Sequence, residues 1–213
     1  MQSKEGKHYM DELTDTTDTA KAAESTGATE AEAPKPSLLK QLWSFFAPTI
    51  ICCGVVLIIN TFFIFYAVVP TGSMKNLIME GSYILANRLA YVNSDVQRGD
   101  VIVFEHVTAD YDAKYLVKRV IAVAGDTVEL RDGRVYLNGE ELDESAYVLG
   151  RTYPKSDRSI FTVPENCVLT FGDNREGSAD ARSWLDPYVS IDTIKGKVFC
   201  TFSIRNWYIR SVK

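Results

Sequence analysis

The longest uncharged stretch of this 213-residue chain restricts its architecture more than any other feature of the sequence. No charged side chain occurs between Lys40 and Lys75, and residues 42–69 read LWSFFAPTIICCGVVLIINTFFIFYAVV. A helix needs about 20 consecutive apolar residues to cross a bilayer. This run is longer, and Asn60 is the only strongly polar residue within it. We therefore expect one transmembrane helix over residues 38–69, which makes the protein a single-pass protein of a cell membrane.

Two other interpretations of the run fit the sequence less well. A secretory signal peptide has a shorter apolar core and lies closer to the initiating methionine. A buried helix of a soluble domain would carry polar residues at more positions. Lys35 and Lys40 precede the run, and the next basic residues after it are Lys75 and Arg88, so the positive-inside rule slightly favours a cytoplasmic N-terminus. The domain that follows the run is then extracytoplasmic.

Residues 1–37 have the composition of a disordered acidic tail. Eight Asp or Glu residues precede Pro36 against four lysines, and large apolar side chains are almost absent. Such a segment buries too little apolar surface to offset the entropy of ordering it. The tail carries most of the net charge of −5. The rest of the chain is close to neutral and shows no basic patch of the kind that binds nucleic acid.

The four cysteines are too few for a disulfide scaffold. Cys52 and Cys53 are adjacent within the apolar run, and Cys167 and Cys200 can pair only if their strands are neighbours. Two free thiols are the favoured interpretation of this second pair. The sequence has no CxxC pair and no Cys/His cluster, so a structural zinc site is not expected.

Residues 70–213 show the pattern of a mainly β domain. Asn138-Gly139 is a dipeptide that favours a type I′ hairpin turn, and no long amphipathic helix follows the apolar run. We expect antiparallel hairpins in a partial barrel. The segments with strand character are Val101–Phe104, Tyr115–Ala124, Thr127–Leu130, Val135–Leu137, Ser159–Thr170 and Gly196–Ile204.

One serine and one lysine in this domain are candidates for chemistry. Ser73 stands directly where the apolar run ends, and Lys118 stands in an apolar strand where alternation puts it on one face with Leu116 and Val120. Burial lowers the pKa of a lysine, and a neutral amine can act as a general base. The plainer interpretation of Lys118 is an edge-strand lysine or one that extends its ammonium to solvent. Arg119 lies on the opposite face and is expected to be structural.

A dense polar loop and a histidine complete the set of candidates. Residues 172–182 read GDNREGSADAR, which fits either a salt-bridged surface loop or a loop whose Asp/Arg pairs fix the hydroxyl of Ser178. A Ser-His-Asp triad requires a histidine near the serine. Only His8 and His106 exist, and His8 lies in the tail, so a Ser73–His106 pair is the alternative to a Ser73–Lys118 pair.

Four segments, in order, resemble the conserved boxes of bacterial type I signal peptidases. They are residues 70–74 (PTGSM), 98–104 (RGDVIVF), 118–126 (KRVIAVAGD) and the polar loop 172–182. Each box alone is a weak signal, but four in this order behind one membrane anchor are specific. The resemblance extends from about residue 38 to near the C-terminus.

The resemblance implies a role for each matched residue. Ser73 is the nucleophile, Lys118 is its general base, and Ser178 orients that lysine. Thr71 helps the backbone N–H of Ser73 to hold the oxyanion. The remaining matches are substrate-pocket positions at Val69, Pro70 and Val117, and structural ion-pair positions at Asp173, Arg175, Asp180 and Arg182.

The resemblance also implies a substrate class and a reaction. The family removes signal peptides from exported preproteins after Ala-x-Ala-like sites, without a metal or another cofactor. Preproteins and the lipid bilayer are then the expected partners, with the secretion machinery as a further candidate. The chain departs from the family pattern in four places that leave the catalytic groups intact: Lys75-Asn76-Leu77, Ala122-Val123-Ala124, Ala181 and Leu185.

Two other classes of protein share parts of this pattern. A repressor-type Ser–Lys autoprotease has the same dyad, but it lacks a membrane anchor and carries a DNA-binding segment. A membrane-tethered binding protein of the same fold, without catalysis, is the second such class. Three aromatic residues fit either a lipid interface or a buried core: Trp184, Trp207 and Tyr208.

Overall fold

The computed structural model describes residues 37–106, 115–148 and 150–212. The tail expected to be disordered therefore lies outside the described residues, apart from Ser37. A helix, α1, spans Leu38–Phe62, and 3₁₀ turns span Gly72–Met74 and Ile191–Thr193. The strands are β1 Ile64–Val68, β2 Tyr83–Asn87, β3 Val101–Glu105, β4 Tyr115–Val123, β5 Thr127–Arg131, β6 Arg134–Leu137, β7 Glu140–Glu141, β8 Ile160–Thr162, β9 Cys167–Phe171, β10 Tyr188–Ser190, β11 Ile194–Ser203 and β12 Tyr208–Ser211.

The apolar run is divided between a helix and a strand. Helix α1 has 25 residues, which corresponds to about 38 Å at 1.5 Å per residue, and none of its side chains is buried. It is the one described helix that is long and apolar enough to cross a membrane. The last part of the predicted 38–69 segment forms β1 instead, because pairing with β2 satisfies its backbone and buries Phe65.

Most strands belong to one antiparallel sheet of eight strands in the order β1-β2-β11-β3-β4-β9-β10, with β12 paired to β11. The register shifts within the β11–β2, β11–β3 and β4–β9 pairs. Such bulges bend strands and increase their twist, which curls the sheet into a half-barrel. The prediction of a mainly β, antiparallel, partly barrel-like domain behind one apolar helix is confirmed.

A smaller antiparallel sheet has the strand order β7-β6-β5-β8. Its first tight turn carries Asp132 and Gly133 at φ of 54° and 76°, and its second carries Asn138 and Gly139 at 53° and 89°. Two consecutive residues with positive φ define a type I′ turn, which favours Asn or Asp followed by Gly. The sequence prediction of a hairpin turn at Asn138-Gly139 is therefore confirmed.

Three apolar clusters form the core and fix the elements that carry the candidate site. The first cluster lies beneath β1, β2, β3 and β11, and Met74 and Ile78 anchor the first 3₁₀ turn in it. The second joins the small sheet to β4 and β9. The third packs β3, β4, β9 and β10, with Trp184 against it. Strand β4 therefore contributes to more than one cluster and is held on both faces.

Candidate active site

The first 3₁₀ turn presents Ser73 at the end of the segment that follows β1. Val69 donates its N–H to Ser82 O at 2.9 Å and accepts from Gly81 N at 2.8 Å, which holds the chain just before the turn. Pro70 then leads into the turn, and fully buried Met74 anchors it in the first core cluster. Ser73 itself is 7% exposed. The nucleophile candidate is therefore fixed by packing on both sides along the chain.

The polar loop that follows β9 forms hydrogen bonds with the backbone of the Ser73 turn. Asn174 donates its backbone N–H to Ser73 O at 3.0 Å, and its side-chain amide donates to Gly72 O at 2.9 Å. Asn174 thus donates hydrogen bonds to two backbone carbonyls of the turn. The Ser73 side chain takes no part in these bonds. The sequence pattern did not indicate this role, although Asn174 lies inside the polar loop.

Gly172 makes the close approach between the loop and the turn possible. A Cβ atom built on Gly172 would lie 2.3 Å from Ser178 Oγ and 2.5 Å from Ser73 O. Because real Cβ contacts are not shorter than about 3 Å, only glycine fits at this point. The same geometry shows that Ser73 and Ser178 meet around Gly172, although they are far apart in sequence.

Ser178 is buried, and its Oγ has no partner at hydrogen-bond geometry, although its hydroxyl helps to lower the pKa of the nearby Asp180 carboxyl. The other buried polar side-chain atoms without a partner, among the described residues, are His106 Nε2 and Thr170 Oγ1. A buried hydroxyl without a partner costs about 1–3 kcal/mol and marks a place where a function or an unformed contact needs explanation. The hydrogen bond from Ser178 to Lys118 that the resemblance implies is not formed in this structure.

Lys118 lies on β4, which packs against the 3₁₀ turn that carries Ser73. Its side chain is 2% exposed, and its neighbour on β3 is Ile102. Burial lowers the pKa of Lys118 to about 8. The carboxylates of Asp180 and Asp173 oppose this shift, whereas the cations of Arg182 and Lys155 add to it. The edge-strand interpretation does not hold, because β4 lies between β3 and β9 in the sheet.

Two buried ion pairs flank Lys118 and belong to the residues expected to be structural. Arg119 forms a bidentate pair with Asp173 at 2.8 and 2.9 Å and donates to Gly99 O at 2.7 Å. Asp180 accepts from Arg182 at 2.8 Å on both oxygens and from Gly172 N at 3.0 Å. Burial raises the pKa of Asp180, but the Arg182 guanidinium outweighs it, so the pKa lies below its ordinary value.

Arg175 is also in an ion pair, with a partner that the sequence did not indicate. Its guanidinium bonds Glu144 at 2.5 and 2.8 Å, Thr152 Oγ1 at 2.5 Å and Gly172 O at 3.0 Å. Glu144 and Thr152 lie in the long connection between β7 and β8, which carries no recognisable motif. This network fixes the polypeptide at Gly172, and through it the approach of the loop to Ser73.

The remaining predicted site residues differ in their burial and in their contacts with the 3₁₀ turn. Thr71 Oγ1 donates to Ser73 Oγ at 3.4 Å, a long contact for hydroxyl groups. Val69 is buried in the first core cluster, and Val117 packs against that cluster. Pro70 is exposed. Thr71 therefore contacts Ser73 directly, whereas Val69 and Val117 share with Met74 the core cluster that anchors the turn.

His106 packs against aromatic rings rather than against Ser73. Its ring stacks on Trp184 with the centroids 4.1 Å apart and meets Phe104 edge to face at 6.1 Å. Burial lowers its pKa, and Asp186 opposes that shift. With Nε2 unpartnered, no hydrogen bond from that atom reaches Ser73 in the described part of the chain.

The three aromatic residues and the second pair of cysteines have distinct environments. Trp184 packs against two core clusters, whereas Trp207 is 89% exposed. Tyr208 is partly buried, and its hydroxyl contacts Ser82 Oγ at 2.7 Å. Cys167 and Cys200 are free thiols, as favoured from the sequence.

Comparison with known proteins gives one consistent result. A family profile described as "Signal peptidase, peptidase S26" matches residues 42–203. The probable signal peptidase I-2 of Synechocystis is 28% identical over 179 residues, which cover 81% of this chain and 79% of that protein. Signal peptidase IB of Staphylococcus aureus is 28% identical over 183 residues, with 79% and 91% covered. Signal peptidase I of Pseudomonas aeruginosa is 28% identical over 199 residues, with 75% and 68% covered.

A crystal structure of a signal peptidase I from Enterococcus faecalis shares 29% identity and covers 49% of this chain and 97% of that one. The TM-score between the two structures is 0.37. The profile match, by contrast, covers most of the chain and defines a peptidase. The chain belongs to the signal peptidase family, peptidase S26.

Proposed function

We propose that this protein is a membrane-anchored serine endopeptidase that removes signal peptides from exported preproteins after Ala-x-Ala-like sites. Ser73 is the nucleophile and Lys118 the general base. The observation that supports this most is the convergence around Gly172, which brings the Ser73 turn and Ser178 together beside the strand that carries a buried lysine. Membership of the signal peptidase family supports the substrate class.

The first half of the reaction transfers the signal peptide to the enzyme. The Ser73 hydroxyl attacks the carbonyl carbon of the scissile bond while the Lys118 amine takes the hydroxyl proton. The Ser73 N–H and the Thr71 hydroxyl stabilise the resulting oxyanion, and one such donor contributes on the order of 3 kcal/mol. The C–N bond then breaks, and the Lys118 ammonium gives its proton to the departing amine of the mature protein.

The second half releases the signal peptide. Lys118, neutral again, takes a proton from a water molecule that attacks the ester carbonyl. The ester bond to Ser73 breaks, and the proton returns to the serine oxygen. The signal peptide leaves with a free carboxylate. In both halves Ser178 is the hydroxyl that holds the lysine in position, which gives its unpartnered Oγ a role.

The lowered pKa makes Lys118 competent as a base near neutral pH. With a pKa of about 8, roughly 10% of the amine is neutral at pH 7. A lysine at its ordinary value of 10.5 would be about 0.03% neutral. Burial therefore raises the population of the active base by about 300-fold.

The proposed topology follows from helix α1 and its flanks. We propose that α1 crosses the membrane once, with the N-terminus cytoplasmic and the peptidase domain extracytoplasmic. Strand β1 begins two residues after α1 ends, and Ser73 follows it closely. The nucleophile would then stand near the bilayer surface, where a membrane-inserted signal peptide presents its cleavage site. The secretion machinery is a further proposed partner.

The test is cleavage of a purified preprotein with an Ala-x-Ala site by the full chain in detergent micelles. Wild type, Ser73→Ala, Lys118→Met and His106→Ala are compared after each is shown to be folded by near-UV circular dichroism. We expect the first two variants to be inert and His106→Ala to cleave normally.

Each of three other outcomes would favour a different function or a different catalytic base. An inert His106→Ala would return the base assignment to a Ser–His pair. Failure of wild type to cleave several preproteins would favour the binding protein without catalysis. Cleavage of the chain itself, abolished by Ser73→Ala, would favour the autoprotease.

A further inference from the structure

A cavity lies beside the Ser73 turn and is not used by the mechanism above. Its volume is about 650 Å³. Among the described residues, its wall contains two cations and three side-chain amides, and no carboxylate. The lining residues are Lys75, Asn76, Met79, Asn174, Asn206, Tyr208 and Arg210.

This cavity is built on the backbone that holds the nucleophile. Lys75 is two residues from Ser73, a distance of at most about 7 Å along an extended chain. Asn76 has a φ of 105°, a backbone conformation that non-glycine residues rarely adopt. Arg210 donates to Asn76 O at 2.8 Å, and Asn76 Nδ2 donates to Tyr147 O at 3.2 Å. The cavity wall is therefore fixed by contacts from two other segments of the chain.

We propose that this cavity receives the first residues after the scissile bond of the preprotein and favours an acidic side chain there. The proposal rests on the proposed function. Substrate residues before and after the scissile bond leave Ser73 in different directions. The pocket positions proposed for the residues before the bond, Val69, Pro70 and Val117, share no member with the cavity wall. A segment of two or three residues is long enough to bring a side chain to Lys75.

The test uses two preproteins that differ only in carrying Glu or Lys at the second position after the cleavage site. Wild type should cleave the Glu form with a kcat/KM about three- to tenfold higher, because exposed ion pairs contribute modestly. That ratio should fall towards one as salt is raised. Lys75→Glu should remove the preference, because the new carboxylate and the Arg210 cation then offset each other. Arg131→Glu makes the same change in net charge at an exposed position at the end of β5 and should keep the wild-type ratio.

Equal cleavage of the two preproteins by wild type would overturn the proposal, as would an equal effect of Arg131→Glu. If wild type cleaves neither preprotein, the proposed function itself fails, which is a different result. Arg210 is left intact in this test because it also supports the Asn76 backbone.

A second, independent observation concerns Lys155, which no sequence motif includes. Lys155 Nζ donates to the carbonyl oxygens of Glu176 at 2.9 Å and Ser178 at 2.8 Å. Glu176 and Gly177 are exposed, and Gly177 is otherwise held by a 3.2 Å bond from its N–H to Asn174 Oδ1. The ammonium of Lys155 thus binds the backbone carbonyls of Glu176 and Ser178, which lie on either side of Gly177. Ser178 is also the residue whose buried Oγ has no partner at hydrogen-bond geometry.

We infer that Lys155 is a positioning residue that holds Ser178 against the Ser73 turn and keeps a second cation near Lys118. This also rests on the proposed function. The charged or titratable groups that face Lys118 are Asp180, Arg182, Asp173, Lys155 and His106. Those that face Lys155 are Arg182, Asp180 and Glu176. Removal of the Lys155 charge leaves the two carboxylates near Lys118 less opposed, so its ammonium form becomes more favourable.

The test compares Lys155→Arg, Lys155→Gln and Lys155→Met in the same detergent-solubilised enzyme. Arginine should preserve both kcat and the pH profile of kcat/KM. Glutamine and methionine should move the acidic limb of that profile to higher pH. Methionine, which also lacks a donor, should lower kcat several-fold with little change in KM.

A wild-type pH profile in both uncharged variants would refute the inference, even if their kcat were lower, because a purely structural clamp would not move the limb. Inactive wild type would instead count against the proposed function.

Discussion

Replacement of Lys118 by methionine should abolish cleavage and stabilise the folded protein. Methionine is close to lysine in length and has no charge to desolvate. The pKa of Lys118 is about 8 in the folded state against an ordinary 10.5. This difference corresponds to about 3 kcal/mol, since one pKa unit is worth about 1.4 kcal/mol. Because the folded state binds the proton more weakly, the penalty is fully present below pH 8 and is lost as the pH rises through 10.5.

The stability difference between the variant and wild type therefore has a defined pH dependence. We expect Lys118→Met to raise the free energy of unfolding by about 3 kcal/mol at pH 7 and by about 1 kcal/mol at about pH 9.5. Guanidinium unfolding of the full chain in micelles, followed by tryptophan fluorescence, measures this, because Trp184 packs in the core. Lys195→Met is the matched control, since Lys195 is partly exposed in a pair with Glu105 and should change stability little.

The variant Lys118→Arg separates charge from shape. A guanidinium cannot release its proton near neutral pH, so this variant should also be inactive but should gain no stability. A Lys118→Met variant that is no more stable than wild type at pH 7 would contradict a penalty from the buried ammonium. A gain in stability that persists unchanged at about pH 9.5 would contradict it equally, because the penalty would then have another origin.

Three further predictions follow from the site geometry. In wild type, kcat/KM should rise about tenfold per pH unit below pH 8 and level off above it, because the neutral Lys118 amine is the active form. Gly172→Ala should abolish most activity, since its Cβ would lie 2.3 and 2.5 Å from atoms of the site, whereas Gly54→Ala, with open space around it, should cleave normally. Asp173→Asn should lower the free energy of unfolding by about 3–5 kcal/mol, measured by denaturant titration, because the Arg119 cation would stay buried without its carboxylate. A loss below about 1 kcal/mol would contradict this last account.

The sequence predicts the strands better than the end of the apolar helix. Short apolar runs bounded by polar residues and turn dipeptides have a local cause, so β3 and the Asn138-Gly139 turn could be predicted from a few residues each. An apolar run of uniform character does not reveal where helix gives way to strand. Here the boundary at Phe62 depends on pairing between β1 and β2, which are separated by the whole Ser73 turn.

The ion pairs of the candidate site can likewise be predicted from the sequence only where the two partners are close along the chain. Asp180 and Arg182 are two residues apart, so their pairing can be expected from the loop sequence. The partner of Asp173 is Arg119, 54 positions away, and it is set by the pairing of β4 with β9. Glu144 lies in a connection without a motif, and nothing local marks it as the partner of Arg175.

Lys118, the proposed base, and Arg119 show how two buried cations on one strand can differ. Both are adjacent on β4 and both are 2% exposed, so burial alone does not separate them. Arg119 has a bidentate carboxylate at Asp173 and a carbonyl at Gly99, which compensate its desolvation. Lys118 forms no ion pair among the described residues, and its pKa falls. A strand presents consecutive residues on opposite faces, so one β-strand can place a permanent cation against its anion on one face and a lysine without an ion pair on the other. The ion pair with Asp173 thus compensates the burial of Arg119, whereas the burial of Lys118 is compensated by no described ion pair, as its proposed role as a base requires.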